Sequence, residues 1–331
     1  MIIRDAKQAV AILARGELLG LPTETVYGLA GRIDQLETVR QIFTLKERPF
    51  FDPLIVHCHN ENQVRSLCLE WPKAASILAK AFWPGPLTLV LKKTDAVSDL
   101  ISSGLSTVGL RVPNHPLALE VLRLFGVPLA APSANKFGRT SPTSAEHVAK
   151  EFGPLLSVLD GGPCQGGIES SIVQVNEDCE ILMLRKGLIS ADQISTTLSG
   201  TGLAWRWGQS AGAMAPGKLK HHYMPDKPLI LLKNREMSDG EILQLLDKKW
   251  AELPDEVEGV KIRKPKRNAK AVFRFQLSQD PLVAARMLYS SLRIASESDN
   301  DLIVYSLKTT TAGLWDGIHD RLLKAATFVI D

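Results

Sequence analysis

The spacing of apolar residues over the first half of the chain changes repeatedly between the helical period and short continuous runs. Apolar positions at helical spacing predict helices over residues 5–15 and 36–43. The short apolar runs, which predict buried strands, lie at 54–57, 87–92 and 107–111. Since strand and helix patterns interleave as far as residue 195, we predict an α/β domain with a mixed, twisted sheet.

A regular alternation of strand and helix patterns begins near residue 228. The predicted strands lie at 229–232, 272–275, 302–307 and 327–330, and the predicted helices at 241–253, 282–296 and 315–326. Such alternation predicts a small parallel sheet covered by helices. The segment before it is rich in Gly, Pro, Ala and basic residues and has no clear element. We therefore predict a first domain over 1–195, a linker over 196–227 and a second domain over 228–331.

Composition excludes several classes of protein. The 331 residues are 45% hydrophobic, and 39 basic against 36 acidic side chains give a net charge of +3, too balanced for nucleic-acid binding through bulk electrostatics. No apolar stretch reaches about eighteen residues, and the N-terminus lacks the layout of a signal peptide. We therefore expect a cytoplasmic protein without membrane contact. Four cysteines without a CxxC pair indicate free thiols in a reducing compartment.

Three local patterns suggest other chemistry, and the first two are rejected. The segment 57–59 places two histidines around a cysteine, but neighbours in a strand point to opposite faces and no second ligand pair follows. We predict no metal site there. Residues 212–218 have the spacing of a Walker A loop, but Leu219 replaces the required hydroxyl and no strand precedes the loop. The basic run at 261–270 fits either RNA contact or a solvated loop.

Polar side chains recur where the predicted strands and loops end. They are Thr23, Thr25, Lys46, Arg48, His57, Thr107, Arg111, Ser133, Asn135, Ser141, Ser170 and Arg185. In open α/β sheets ligands bind beyond strand ends, so these side chains can converge. Cations and hydroxyls without clustered carboxylates suit an anionic ligand, and the natural choice is phosphate or carboxylate. The acids within these clusters, Glu24 and Glu169, could cap a turn or pair with a nearby cation.

Ten motifs in chain order carry a family resemblance. They are PTETVYGL (22–29), LKERP (45–49), PLIVH (53–57), WPGPLTLVL (83–91), VGLRVPNHP (108–116), PLAAPSAN (128–135), SPT (141–143), DGG (160–162), IESSIV (168–173) and LRKG (184–187). Together they resemble the YrdC-like domain of the threonylcarbamoyl-AMP synthase family. The segment 215–225 resembles the linker that joins this domain to a small Rossmann-like domain in the long form of the family, and it retains a His-Tyr step at 222–223.

The resemblance implies an ATP-dependent reaction. Threonine and bicarbonate form N-carboxythreonine, whose carboxylate attacks the α-phosphate of ATP to give threonylcarbamoyl-AMP and pyrophosphate, with Mg²⁺ as the expected cofactor. The product would pass to a partner transferase that modifies adenosine 37 of tRNA, and direct tRNA contact stays open. By the same resemblance, the nucleotide site comprises Lys46, Arg48, Thr107, Ser133, Asn135, Ser141, Arg185 and Tyr223, with Lys46 and Arg48 in the catalytic role. The threonine site comprises Thr23, His57, Arg111, Ala131 and Ser170.

Two alternatives compete with this enzyme. A non-catalytic RNA-binding protein could use the same basic concave surface, and it would bind RNA tightly, in a salt-dependent manner, without ATP turnover. The related domain of hydrogenase maturation proteins is disfavoured because those proteins carry paired CxxC zinc modules, which this chain lacks. The sequence does not specify the oligomeric state, the general base or the role of the second domain.

Overall fold

The computed structural model describes residues 1–209, 221–233, 235–249, 255–257, 260–261, 264, 269–307 and 312–331. The chain divides into two compact units. The first unit consists of Met1–Lys136 and Pro142–Lys218, and the second of Phe137–Ser141 and Leu219–Asp331. The predicted linker, residues 196–227, is therefore divided between the units, and its residues 210–220 lie outside the described part of the chain.

The first unit is built from eleven strands and eight α-helices among the described residues. The strands are β1 (Ile2–Ile3), β2 (Leu19–Leu21), β3 (Gly28–Arg32), β4 (Ile55–His57), β5 (Leu87–Lys92), β6 (Thr107–Arg111), β7 (Leu129–Ala130), β8 (Ser157–Leu159), β9 (Ser171–Val175), β10 (Glu180–Arg185) and β11 (Arg206–Trp207). The helices are α1 (Ala6–Ala14), α2 (Leu36–Lys46), α3 (Glu61–Arg65), α4 (Lys73–Phe82), α5 (Asp99–Ser102), α6 (Pro116–Phe125), α7 (Ala145–Phe152) and α8 (Ala191–Ser199), with a 3₁₀ turn at Gly153–Leu155.

All these strands join one mixed sheet in the order β1-β8-β2-β3-β7-β4-β6-β5-β9-β10-β11. Strand β4 is parallel to β6, β6 is antiparallel to β5, and β5 is parallel to β9. The predicted mixed α/β sheet of the first domain is thereby confirmed.

Alternation of side chains along the central strands separates two chemically different faces. On one face, Val56, Leu89 and Leu110 enter the main hydrophobic core with the covering helices. The residues between them in the strands, such as Thr88, Gly109 and Arg111, lie on the opposite face. A smaller apolar cluster occupies that second face and consists of Ile55, Val90, Ile172, Leu182 and Leu184. The candidate site residues of these strands thus share one face, away from the main core.

The second unit contains a four-stranded parallel sheet and three helices among its described residues. The strands are β12 (Leu229–Lys233), β15 (Val272–Arg274), β16 (Leu302–Leu307) and β17 (Phe328–Ile330), with a separate antiparallel pair, β13 (Glu256–Val257) and β14 (Val260–Lys261). The helices are α9 (Asp239–Lys249), α10 (Pro281–Glu297) and α11 (Leu314–Ala325). The sheet order is β15-β16-β12-β17, and every pair in it is parallel. The predicted small parallel α/β domain is confirmed, and no described helix could cross a membrane.

The main error of the sequence prediction lies around residue 196, where the predicted linker begins. Helix α8 forms there because Ser190 and Gln193 make a reciprocal capping box, and Ile194 and Leu198 are buried. Strand β11 then pairs with β10, inside the predicted linker. Polar residues fill most of α8, so its two core contacts carry too little periodic signal for a sequence-based prediction.

Candidate functional site

The loop between β2 and β3 is folded around one threonine hydroxyl. Thr23 Oγ1 accepts hydrogen bonds from the amides of Thr25 (3.2 Å) and Val26 (3.3 Å), donates to the Val26 carbonyl (2.5 Å) and lies 2.9 Å from Thr25 Oγ1. The glycine-rich turn supports the loop from outside, since Gly166 N donates to the Glu24 carbonyl at 2.7 Å and Gly167 N to the Thr25 carbonyl at 3.1 Å. The two hydroxyls are therefore held in place before any ligand binds.

Arg111, the last residue of β6, reaches this loop. Its Nε donates to the Gly85 carbonyl at 3.1 Å, and its Nη1 donates to Thr25 Oγ1 at 3.0 Å. Its Nη2 lies 2.7 Å from Glu24 Oε1, and both side chains are at most one-tenth exposed. The contact is an ion pair without hydrogen-bond alignment: Nη2 and both Glu24 carboxylate oxygens have no hydrogen-bond partner among the described residues. The pairing of Glu24 with a nearby cation is confirmed.

A buried pair with unused donor and acceptor atoms is energetically costly, and such groups are normally satisfied by a ligand or by water. The guanidinium can donate to a carboxylate, and the Glu24 carboxylate can accept from an ammonium or amine. Arg111 and Glu24 together therefore match the two charged ends of an amino acid. Sequence reasoning noted Glu24 but did not place it in the site.

His57 lies beside Arg111 on the neighbouring strand, because β4 and β6 pair with these two residues in register. Burial, and then the charge of Arg111, lower the pKa of His57 from 6.5 to about 3. The imidazole is therefore neutral at physiological pH, and its Nδ1 has no hydrogen-bond partner within the described part of the chain. A neutral ring can offer one donor and one acceptor to a polar ligand.

The buried neutral state of His57 predicts a pH-dependent stability. The unfolded chain takes up a proton on His57 below pH 6.5, whereas the folded protein does so only near pH 3, so stability falls as the pH falls between these values. Relative to His57→Gln, the wild-type free energy of unfolding should drop by about 1.4 kcal/mol per pH unit in this range. Urea titrations of both proteins at several pH values measure it. Parallel stability profiles would contradict a neutral His57.

Lys46, at the end of α2, is buried against the loop that follows β7. Its Nζ donates to the main-chain carbonyls of Ser133 and Asn135, the latter at 2.5 Å, and the side chain is 1% exposed. Burial, and then the charge of Arg48, hold the pKa of Lys46 well below its usual value. The same loop is anchored to β4, since Ala131 N donates to the Ile55 carbonyl at 3.0 Å. The structure thus brings together Lys46, Ala131, Ser133 and Asn135.

Arg48 follows a residue in the left-handed conformation, Glu47 (φ 54°), which ends α2 and turns the chain. The guanidinium donates to the carbonyls of Asp52 (3.0 Å) and Pro53 (2.8 Å), and its Nη2 lies 2.9 Å from Asp52 Oδ2. Burial raises the pKa of Asp52, while the adjacent cations oppose that rise. Arg48 therefore stabilises the 48–53 turn, a role that sequence reasoning missed along with its partner Asp52.

Ser170 and Arg185 form a third group at the start of β9. Arg185 donates from Nε to the Ser170 carbonyl (3.1 Å) and from Nη2 to Ser170 Oγ (3.2 Å), and Ser170 Oγ lies 2.8 Å from Thr88 Oγ1. Gly187 permits this approach, because a Cβ at that position would lie 2.5 Å from the Glu169 carbonyl oxygen. Ser170 and Arg185 were predicted in separate subsites but touch directly, and Thr88 was missed.

Thr107 lies away from Arg111, at the other end of the same strand. The two residues are the first and last of β6, which places them about 13 Å apart on one face at ~3.3 Å per residue. Thr107 lines a cleft of about 390 Å³ together with Lys92 and Gln174. Val90 and Gly109 lie between the two positions, so only an elongated ligand could contact both.

Two predicted site residues belong to the second unit. Ser141 is fully buried there. Tyr223 has a left-handed backbone (φ 64°), its ring stacks on Tyr289 with centroids 5.8 Å apart, and the Arg321 guanidinium lies 5.2 Å from its centroid. Their predicted role in nucleotide binding stays a prediction.

The described residues contain no group of three or more His, Cys, Asp or Glu side chains that could hold a metal ion. The buried carboxylates of Glu24 and Asp52 are each paired with an arginine. A divalent ion at this site would therefore take its ligands from phosphate oxygens, hydroxyls and water. Mg²⁺ commonly binds in this way together with a nucleotide.

Comparisons with known proteins agree with this architecture. The family described as telomere recombination matches residues 11–187, and the threonylcarbamoyl-AMP synthase C-terminal domain matches residues 189–327. The threonylcarbamoyl-AMP synthase of Bacillus subtilis (strain 168) is 38% identical over 96% of this chain and 92% of its own length. That of Pyrococcus abyssi is 36% identical over 97% of this chain and 94% of its own length.

A solved structure matches this chain over its whole length. The crystal structure of Pyrococcus abyssi Sua5 complexed with L-threonine superposes with a TM-score of 0.82 at 32% sequence identity, covering 100% of this chain and 99% of that one. The sequence resemblance is thereby confirmed in both halves. The chain belongs to the threonylcarbamoyl-AMP synthase family, in its long two-domain form.

Proposed function

We propose that this chain joins L-threonine, bicarbonate and ATP into threonylcarbamoyl-AMP with release of pyrophosphate. The observation that carries the proposal is the buried Arg111–Glu24 pair, whose unused atoms match the charged ends of an amino acid. A related protein of this family has been crystallised with L-threonine, which supports the same substrate here.

Threonine is bound by groups already held in position. Arg111 Nη2 pairs with the substrate carboxylate, and Glu24 accepts from the nitrogen. The hydroxyls of Thr23 and Ser170, the main chain of Ala131 and the neutral ring of His57 surround the remaining polar atoms. Because Thr23, Arg111 and Ser170 are fixed by their own hydrogen bonds, little entropy is lost when the substrate binds.

ATP is bound along the same sheet face. Lys46 and Arg48 neutralise the phosphates, assisted by Arg185 and by the loop that carries Ser133 and Asn135. Thr107 contacts the distal part of the nucleotide, since an elongated ligand is needed to reach it from the Arg111 end. Ser141 and Tyr223, which belong to the second unit, stay predicted nucleotide contacts. ATP would be bound with Mg²⁺, which would neutralise part of the phosphate charge.

The chemistry needs alignment more than a covalent group. The threonine ammonium first loses a proton to water. Its neutral nitrogen then attacks the carbon of bicarbonate, and loss of water leaves N-carboxythreonine. A carboxylate oxygen of this intermediate then attacks the α-phosphorus as the bond to the pyrophosphate oxygen breaks. Lys46, Arg48 and Arg185 stabilise charge on the phosphoryl oxygens, which is the main contribution an enzyme makes to such a transfer.

The product is an activated, hydrolysis-prone mixed anhydride, so it must pass promptly to an acceptor. We propose that the acceptor system is a threonylcarbamoyl transferase acting on adenosine 37 of tRNA. The competing function is RNA binding without ATP turnover.

Product analysis tests the proposal. The purified protein is incubated with MgATP, L-threonine and either ordinary or carbon-13 bicarbonate, and the products are separated and weighed by mass spectrometry. We expect threonylcarbamoyl-AMP to be about one mass unit heavier from the labelled bicarbonate. Absence of this product, with salt-dependent RNA binding present, would favour the non-catalytic alternative.

A further inference from the structure

Five residues from the first half of the chain, Phe137–Ser141, are part of the second unit. They run beside residues 223–224 as a short ladder: Thr140 N donates to the Met224 carbonyl at 3.1 Å, and Met224 N donates to the Gly138 carbonyl at 2.8 Å. Thr140 Oγ1 adds a hydrogen bond to the Tyr223 carbonyl at 3.1 Å. Two main-chain hydrogen bonds and one side-chain hydrogen bond thus hold the segment against residues 223–224.

Helix α10 contacts this ladder through Arg293. Arg293 Nη2 donates to the Thr140 carbonyl at 2.5 Å, so Thr140 is bound at its amide, its hydroxyl and its carbonyl. A charge-assisted hydrogen bond is among the stronger polar contacts in proteins. The ladder in turn rests on α11, since His222 N donates to the Lys324 carbonyl at 2.9 Å.

The segment's chain neighbours are groups of the candidate site. Asn135, two residues before it, accepts the hydrogen bond of Lys46 on its carbonyl. Ser141, at its end, is a predicted nucleotide contact, and the carbonyl of the next residue, Pro142, accepts from Tyr27 N at 2.9 Å. A shift of Thr140 would therefore be transmitted through five peptide units to Asn135 and through one to Ser141.

We propose that Arg293 is a positioning residue for ATP, and that a role of the second domain is to fix the Phe137–Ser141 main chain for nucleotide binding. The inference rests on the proposed function only in naming ATP as the ligand. It predicts a selective effect: loss of Arg293 weakens ATP binding and leaves threonine binding unchanged. The threonine side chains belong to other elements, and Ala131 is anchored separately, through its amide to the Ile55 carbonyl.

The test compares Arg293→Leu with Arg293→Lys, which retains a cationic donor, and with Arg286→Leu, which removes an exposed arginine from the same helix. The rate of amide hydrogen exchange at Thr140 and Met224 measures how stable the two hydrogen bonds of the ladder are. The KM values for ATP and for threonine measure the effect on each substrate. In Arg293→Leu we expect exchange at both amides to accelerate, and KM for ATP to rise about tenfold, with KM for threonine within twofold. Arg293→Lys should recover most of the loss, and Arg286→Leu should match wild type.

Three outcomes would overturn the inference: unchanged exchange at Thr140, unchanged KM for ATP, or equal losses for ATP and threonine with a lowered melting temperature. Thr140→Val, which removes the hydroxyl bond to Tyr223, provides a second perturbation and should show the same ATP-selective loss. If the wild-type protein makes no threonylcarbamoyl-AMP, the proposed function fails separately. ATP affinity measured by calorimetry on the same variants then decides the inference.

Discussion

Replacement of Arg111 by alanine is expected to abolish product formation and to lower the free energy of unfolding by about 3–5 kcal/mol. The loss of activity follows from the missing partner for the threonine carboxylate. The loss of stability follows because the Glu24 carboxylate would remain buried without a cation. Pyrophosphate release and urea unfolding of the same preparation measure the two effects.

A double variant separates these effects. In Glu24→Gln/Arg111→Met both buried charges are removed, so most of the lost stability should return. Activity should not return, because a methionine cannot bind a carboxylate. Threonine binding at wild-type affinity by the double variant would contradict the assignment of Arg111.

Replacement of Lys46 by methionine is expected to lower kcat/KM for ATP by about 10²–10³, the usual effect of removing one well-placed group that stabilises transition-state charge. Threonine affinity should stay unchanged. Lys46→Arg should not restore activity, since the amine lies buried between two carbonyls and leaves no space for a guanidinium. The control is Lys80→Met, which alters an exposed lysine of α4. Wild-type ATP affinity in Lys46→Met would contradict the account.

Lys46 should also link ATP binding to pH. Burial lowers its pKa in the free protein, whereas the phosphates of bound ATP favour the protonated amine. Above that lowered pKa, ATP binding should therefore take up a proton, and ATP affinity should fall as the pH rises. Calorimetry in buffers with different ionisation enthalpies measures this uptake, which Lys46→Met should lose.

The spacing of apolar residues was sufficient to predict many of the helices and strands. The bounds of β5 and β6 agree with their predictions, because each is a short, largely buried apolar run. Helix α8 and strand β11 were missed because a capping box and an edge pairing, rather than periodicity, form them. The sequence also contains no signal that assigns Phe137–Ser141 to the second unit.

The candidate site was predicted less completely than the fold. The motifs identified the buried cations but not the acceptor groups that bind them. Arg111 pairs with Glu24, Arg48 pairs with Asp52, and Lys46 donates to two main-chain carbonyls. For Lys46 and Arg111 the compensating groups are distant in sequence, and they meet only because the sheet brings neighbouring strands and loops together. Spacing within a motif cannot reveal such contacts.

The pairing of each buried cation with acceptor groups of the protein has a functional consequence. Paired and hydrogen-bonded cations are already desolvated and oriented, so little reorganisation is needed when an anionic substrate binds. The arrangement explains how a site without a nucleophilic serine or cysteine in a catalytic role can promote adenylate formation. Its efficiency depends on geometry, so the contacts that hold Phe137–Ser141 should matter as well as the cations themselves.

The most direct test of this account is pyrophosphate release from MgATP by the purified full-length chain, with threonine and bicarbonate present together and each omitted in turn. The account predicts release that requires both substrates and is lost in Lys46→Met. Release that is independent of threonine or bicarbonate, or no release by a folded protein that binds RNA, would contradict it.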